Sequence, residues 1–98
     1  MGRRHYAVVD VSDNSTTVVD GPAILYGVHV NTALSAHALP IKDGSVSVVS
    51  LAASSAIGVN VDLGEGIIFE TSLIVDPNDA ATGSITVTYE VLDKSGAY

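Results

Sequence analysis

The sequence predicts an all-β fold, an antiparallel β-sandwich of about seven or eight short strands, jelly-roll-like in form. Three observations predict it. In residues 84–92, Ile85, Val87, Tyr89 and Val91 alternate with Ser84, Thr86, Thr88 and Glu90, the two-residue period of a strand with one buried face. Turn-forming residues punctuate the chain at short intervals, among them Asp20-Gly21-Pro22, Asp43-Gly44 and Gly64-Glu65-Gly66. No long segment carries the apolar period of an amphipathic helix. A small barrel is the alternative way of closing such a sheet.

Taken in order, residues 5–11 read as a first strand, and Asp13-Asn14-Ser15 as a polar turn into a second at 16–19. In 23–32, Ile24, Tyr26, Val28 and Val30 share one face, and Leu25, Gly27, His29 and Asn31 the other. Gly27 in the middle of this strand points to a bulge or to the close approach of another backbone. Residues 31–39 suit a helical turn as well as a strand. Pro40-Ile41-Lys42-Asp43-Gly44 is a strand end followed by a tight turn, since Asp-Gly favours the positive φ of a hairpin. Residues 45–51 form a strand, 52–55 a small-residue link, and 57–63 a short strand closed by Gly64-Glu65-Gly66. In 66–76, Ile67, Phe69, Thr71, Leu73 and Val75 oppose Ile68, Glu70, Ser72 and Ile74. Both faces are partly apolar, which places this strand centrally or against a neighbouring subunit. The polar face of 84–92, with Ser84, Thr86, Thr88 and Glu90, is expected to be the solvent side.

The 98 residues form a single domain, 1–98, with a short N-terminal arm (1–5) and a C-terminal tail (93–98). A chain of this size buries only about 60 % of its unfolded surface, so its stability is small unless something is added. With no cysteine, neither a disulfide nor a thiolate metal site adds it. Hydrophobic residues make up 47 % of the chain and mean hydropathy is +0.40, which predicts that apolar surface meets another chain. The longest apolar stretch, 22–30, is interrupted by Gly27 and His29 and falls short of the roughly 20 residues of a membrane span. No apolar run follows Arg3-Arg4, so no signal peptide and no membrane partner are expected. Eleven acidic residues against four basic ones give a net charge of −7, which disfavours direct nucleic-acid binding.

Chemistry-bearing motifs are missing. The chain has no Gly-x-Ser-x-Gly elbow, no glycine-rich phosphate loop and no His-Glu-x-x-His, so no enzyme activity, catalytic residue or cofactor is assigned. His29 and His37 lie eight positions apart with no carboxylate at a fixed local spacing, and no metal is assigned to them. Asp76-Pro77-Asn78-Asp79, ending at Thr82-Gly83, collects oxygen donors of the kind calcium takes. It lacks the glycine and the bidentate glutamate of an EF-hand, so an ordinary Asx turn is the favoured reading and calcium binding the alternative. Sugar binding needs exposed aromatic faces. Tyr26, Phe69 and Tyr89 fall on apolar strand faces, which leaves Tyr6 and Tyr98 free.

The stretch DGPAILYGVHVNTALSAHALPIKDG, from Asp20 to Gly44, resembles small β proteins encoded among the virion genes of tailed bacteriophages. So does FETSLIVDPNDAATGSITVTY, from Phe69 to Tyr89, and the two together cover roughly half the chain. The resemblance implies a capsid decoration, or cement, protein at the virion capsid surface. Such a protein is a symmetric homo-oligomer, a trimer by preference, bound to the major capsid protein. Burial of apolar surface between copies also suits a small core without disulfides. On this reading one mixed face, Ile68, Glu70 and Ile74, meets a sister subunit. The Arg3-Arg4 end, or the loop of Asp76, Asn78 and Asp79, touches the shell. The same composition would serve another virion part, such as a neck, tail or fibre adaptor, or a small calcium- or ligand-binding β module.

Overall fold

A computed structural model describes residues 3–12 and 15–92. Asp13 and Asn14 of the predicted turn and the tail 93–98, Tyr98 included, lie outside the described residues. Eight strands run β1 (Arg4–Asp10), β2 (Thr16–Val19), β3 (Ala23–Thr32), β4 (Leu39–Asp43), β5 (Val46–Leu51), β6 (Asn60–Phe69), β7 (Leu73–Val75) and β8 (Ser84–Val91). They form two antiparallel sheets of four, in the orders β1-β8-β3-β6 and β2-β7-β4-β5. Of the predicted arm 1–5, residues 1 and 2 also lie outside the described residues, and Arg4 and His5 belong to β1.

The pairing is nested. β4 pairs with β5, β3 with β6, β2 with β7 and β1 with β8, as in one long hairpin of eight strands, and β3·β8 and β4·β7 add the remaining contacts. One apolar cluster draws on both sheets: Leu25, Val28, Phe69 and Ile85 from the first pack with Ile41 and Leu73 from the second. All six are fully buried, and burying each such side chain contributes about 1.5 to 3 kcal/mol.

β3 departs from simple alternation. Its register shifts between Leu25 and Gly27 against both β6 and β8, a β-bulge at Tyr26. The extra residue moves the strand by one position. Leu25, Val28 and Val30 therefore all face the core, and Tyr26, which the uninterrupted pattern puts on the apolar face with Val28, points outward. Gly27 is required beside the bulge, because a Cβ there would stand 3.0 Å from the carbonyl oxygen of Val61.

The second departure lies between residues 57 and 76. β6 does not stop at Gly64-Glu65-Gly66 but passes through them, and its register with β3 jumps from Asp62 to Ile67. The excursion is shaped by the Asp62 carboxylate, which accepts the Gly64 N–H at 2.9 Å, and by φ of 61° at Gly64 and 96° at Gly66. The predicted continuous strand 66–76 is two strands. β6, an edge of the first sheet, ends at Phe69, and β7 begins at Leu73 inside the second. Asp43, at the end of β4, causes the break. Its carboxylate accepts the N–H groups of Glu70, Thr71 and Ser72 at 3.0, 2.8 and 3.3 Å, which takes those donors out of any ladder. The adjacent Gly44, at φ 61°, supplies the predicted hairpin turn and donates its N–H to the buried Ser72 hydroxyl.

Residues 33–38 form neither helix nor strand. They are fastened through Ser35, whose N–H and Oγ bind Thr82 and whose carbonyl accepts the Ser54 N–H. Leu34 is buried beneath this junction of loops.

Candidate functional site

Outward-facing residues of the first sheet make its most differentiated surface. Cross-strand partners share a face, and the register places Arg4, Glu90, Ile24 and Ile68 in one row across the four strands. A second row holds Tyr6, Thr88, Gly27 and Asp62, and a third Val8, Thr86, His29 and Asn60.

The bulge turns Tyr26 into this face. Its hydroxyl donates to Glu90 Oε1 at 2.7 Å, and the Arg4 guanidinium lies 3.9 Å from its ring centre, a cation–π stack. Glu90 is consequently only 8 % exposed, so the expected solvent face of β8 is covered at this end by Tyr26. The hydrogen bond to the Glu90 carboxylate, with burial and the carboxylate charge in support, holds the Tyr26 phenol above its ordinary pKa of 10.0, and Arg4 opposes the shift. Beside this triad runs a shallow open groove of about 190 Å³, lined by Arg4, Tyr26, His29, Asn60, Asp62 and Thr88 among others. That volume is below the roughly 300 Å³ at which small-molecule sites begin.

Large apolar side chains are exposed in two places. On the first sheet, Tyr6 is 73 %, Val8 64 % and Ile68 60 % exposed. On the second, Val46 and Val48 of β5 are exposed; Ile57 and Val59, also exposed, lie in the link to β6, where Gly58 and Val59 bond the backbone of Val30 in β3 of the first sheet.

The residues expected to form an interface are dispersed. Ile68 is exposed on edge strand β6 of the first sheet, whereas Ile74 is half-buried on the outward side of β7 in the second, so they do not share a strand face. Glu70 is exposed in the link that Asp43 holds. Arg3 is exposed ahead of β1, while Arg4 is stacked on Tyr26. Asp76 pairs with Lys42 at 2.6 Å, and Asn78 Oδ1 accepts the Ala80 N–H in an Asx turn. Asp79 is exposed. One side-chain oxygen of Asp76 and that of Asn78 are thus each engaged by a protein group. Among the described residues no group of three or more His, Cys, Asp or Glu converges.

His29 lines the groove and His37 sits half-buried in the 33–38 loop. Sequence reasoning picked out Tyr6 but missed Val8, whose exposure follows from β1 being a sheet edge, a property of strand order. The outward turn of Tyr26 had one local signal, the glycine that follows it.

These features define an all-β protein of two antiparallel four-stranded sheets, with its distinctive surface on an outward sheet face. No family model, curated protein or solved structure matches the chain.

Proposed function

We propose that the protein is a capsid decoration, or cement, protein of a tailed bacteriophage, a structural rather than catalytic component. It binds the outside of the head shell as a symmetric homo-oligomer, contacts the major capsid protein and stabilises the particle. The observation that carries this reading is the nested pairing of β1·β8, β2·β7, β3·β6 and β4·β5 in two sheets. On our reading a rolled eight-strand hairpin of this kind makes a jelly-roll-like sandwich, an architecture that recurs in viral shell domains. Because that architecture also serves lectins and cupins, the surface supplies the discrimination. The groove beside Tyr26 is too small for a cupin-like ligand chamber, and its aromatic ring is already occupied by Arg4. Exposed apolar side chains at separate places, Tyr6 and Val8 on one sheet and Val46 and Val48 on the other, suit a protein with more than one macromolecular neighbour. The virion-protein resemblance of residues 20–44 and 69–89 points the same way.

The test is addition of the purified protein to phage heads lacking decoration. Co-sedimentation at a fixed stoichiometry, density on the outer shell by electron microscopy and a raised disruption temperature of the heads are expected. Absence of co-sedimentation overturns the reading, and density at the neck, tail or fibre instead assigns the protein to another virion part.

A further inference from the structure

We infer that β1 is a self-complementary edge, and that a second copy of this chain adds to it antiparallel about a two-fold axis, joining two four-stranded sheets into one of eight. The four sheet edges are not alike. β2 has four residues and a register shift at Thr17/Val19, β5 is irregular where it passes Ile41 and Lys42, and β6 carries the glycine excursion. Each irregularity breaks the row of outward N–H and C=O groups that another strand would read, the usual protection of an edge. β1 pairs with β8 over all seven residues without a shift. It keeps a regular outer edge.

That edge presents the right backbone groups. Val11 donates to the Gly83 carbonyl at 2.9 Å in continuation of the β1·β8 register. By the alternation of an antiparallel ladder, Arg4, Tyr6, Val8 and Asp10 then direct their N–H and C=O groups away from β8. Their side chains are also the four that stand on the outward face.

Read in either direction, these four positions match. With Ala7 opposite Ala7 of the second copy, Tyr6 faces Val8 and Arg4 faces Asp10, and the same pairs recur across the axis. An aromatic residue against a β-branched one and a cation against a carboxylate are the favourable cross-strand combinations. Tyr6 and Val8, 73 % and 64 % exposed, are thereby covered. Arg4, the cation that faces Asp10, is held in place by its stack on Tyr26. In a chain of net charge −7 this is where a copy can approach another with charges matched. The contact is isologous and closes as a dimer, in place of the trimer expected from resemblance.

The experiment is sedimentation of the full chain and of three variants, each checked for folding by its melting curve. The wild type is expected at twice 10.0 kDa at micromolar concentration, and Val8→Lys at the monomer mass. Arg4→Asp and Asp10→Arg each dimerise roughly tenfold more weakly alone, because like charges face each other across the axis. An equimolar mixture of these two restores the wild-type affinity, since each supplies the partner the other lacks. A monomeric or trimeric wild type, a dimeric Val8→Lys, or a mixture no tighter than its components overturns the inference. The outcome is separate from the capsid reading: a dimer that ignores phage heads removes only that reading, and a shell-binding trimer removes only this one.

Discussion

The carboxylate of Asp43 holds the backbone of Thr71, accepting its N–H at 2.8 Å across 28 positions of sequence. With Glu70 and Ser72 it collects three donors, and so fixes the place where the chain leaves one sheet for the other. Asp43→Ala is expected to lower unfolding stability by about 2 to 3 kcal/mol, because charge-assisted bonds are lost and three N–H groups are left without that acceptor. Asp43→Asn, which keeps one carbonyl oxygen, is expected to lose less. Denaturant titration of the three proteins measures both.

The same group sets an acid dependence. Burial pushes the Asp43 pKa up, but the backbone donors of Glu70, Thr71 and Ser72 outweigh it, and the carboxyl lies below its ordinary 3.8. A depressed folded-state pKa means that the unfolded chain takes up the proton first. Its contribution is complete above the ordinary value and is lost as pH falls through the lower folded one. Asp10, held by the Ser12 hydroxyl and N–H, is shifted in the same direction. The gap between wild type and Asp43→Ala should narrow between about pH 5 and pH 2, which midpoints at stepped pH will show. A constant gap would refute the assignment.

Tyr26 and Glu90 form a second testable pair. Tyr26→Phe leaves the buried Glu90 without its hydroxyl donor, at a cost of about 1 to 3 kcal/mol. In the double variant with Glu90→Gln the two effects should be non-additive by about 1 kcal/mol, read from a double-mutant cycle.

Glycines of the β6 excursion separate strain from collision. Gly64→Ala meets open space at φ 61° and should cost about 1 to 2 kcal/mol for the backbone alone. Gly66→Ala adds a Cβ that collides with Ile24 Cγ2, and should lose clearly more. Thermal unfolding of the two variants side by side gives the comparison.

At the Asp76 loop little should change. The Lys42–Asp76 ion pair is about one-third exposed, so Asp76→Asn is expected to cost less than about 1 kcal/mol. Because Asp76 and Asn78 are already engaged, millimolar calcium should leave the melting temperature unmoved, as calorimetry can establish.

Residues 84–92 were legible because their alternation is a local property of a strand with a core on one side. The bulge at Tyr26 was legible only through Gly27, and its effect on the faces of β3 was not, since one inserted residue reverses the phase of all that follows. The break at 70–72 could not be read from its own residues, because its cause, Asp43, lies in another strand. Dispersal of Ile68 and Ile74 follows from that break. The edge character of β1, and with it the exposure of Val8, depends on strand order, which local patterns do not encode.

The nested pairing opposes the order of synthesis to the order of the sheet. β8 lies between β1 and β3, yet comes later in the chain than either. A growing chain therefore holds both of those strands with open sides until β8 is made, and only the β4·β5 hairpin forms from near neighbours. Folding dominated by such distant pairings belongs to the millisecond-to-second range, about the pace of all-β sandwiches. During that interval the side of β1 that β8 will cover stays unpaired as well as its outer edge, which exposes the incomplete sheet to association with other chains.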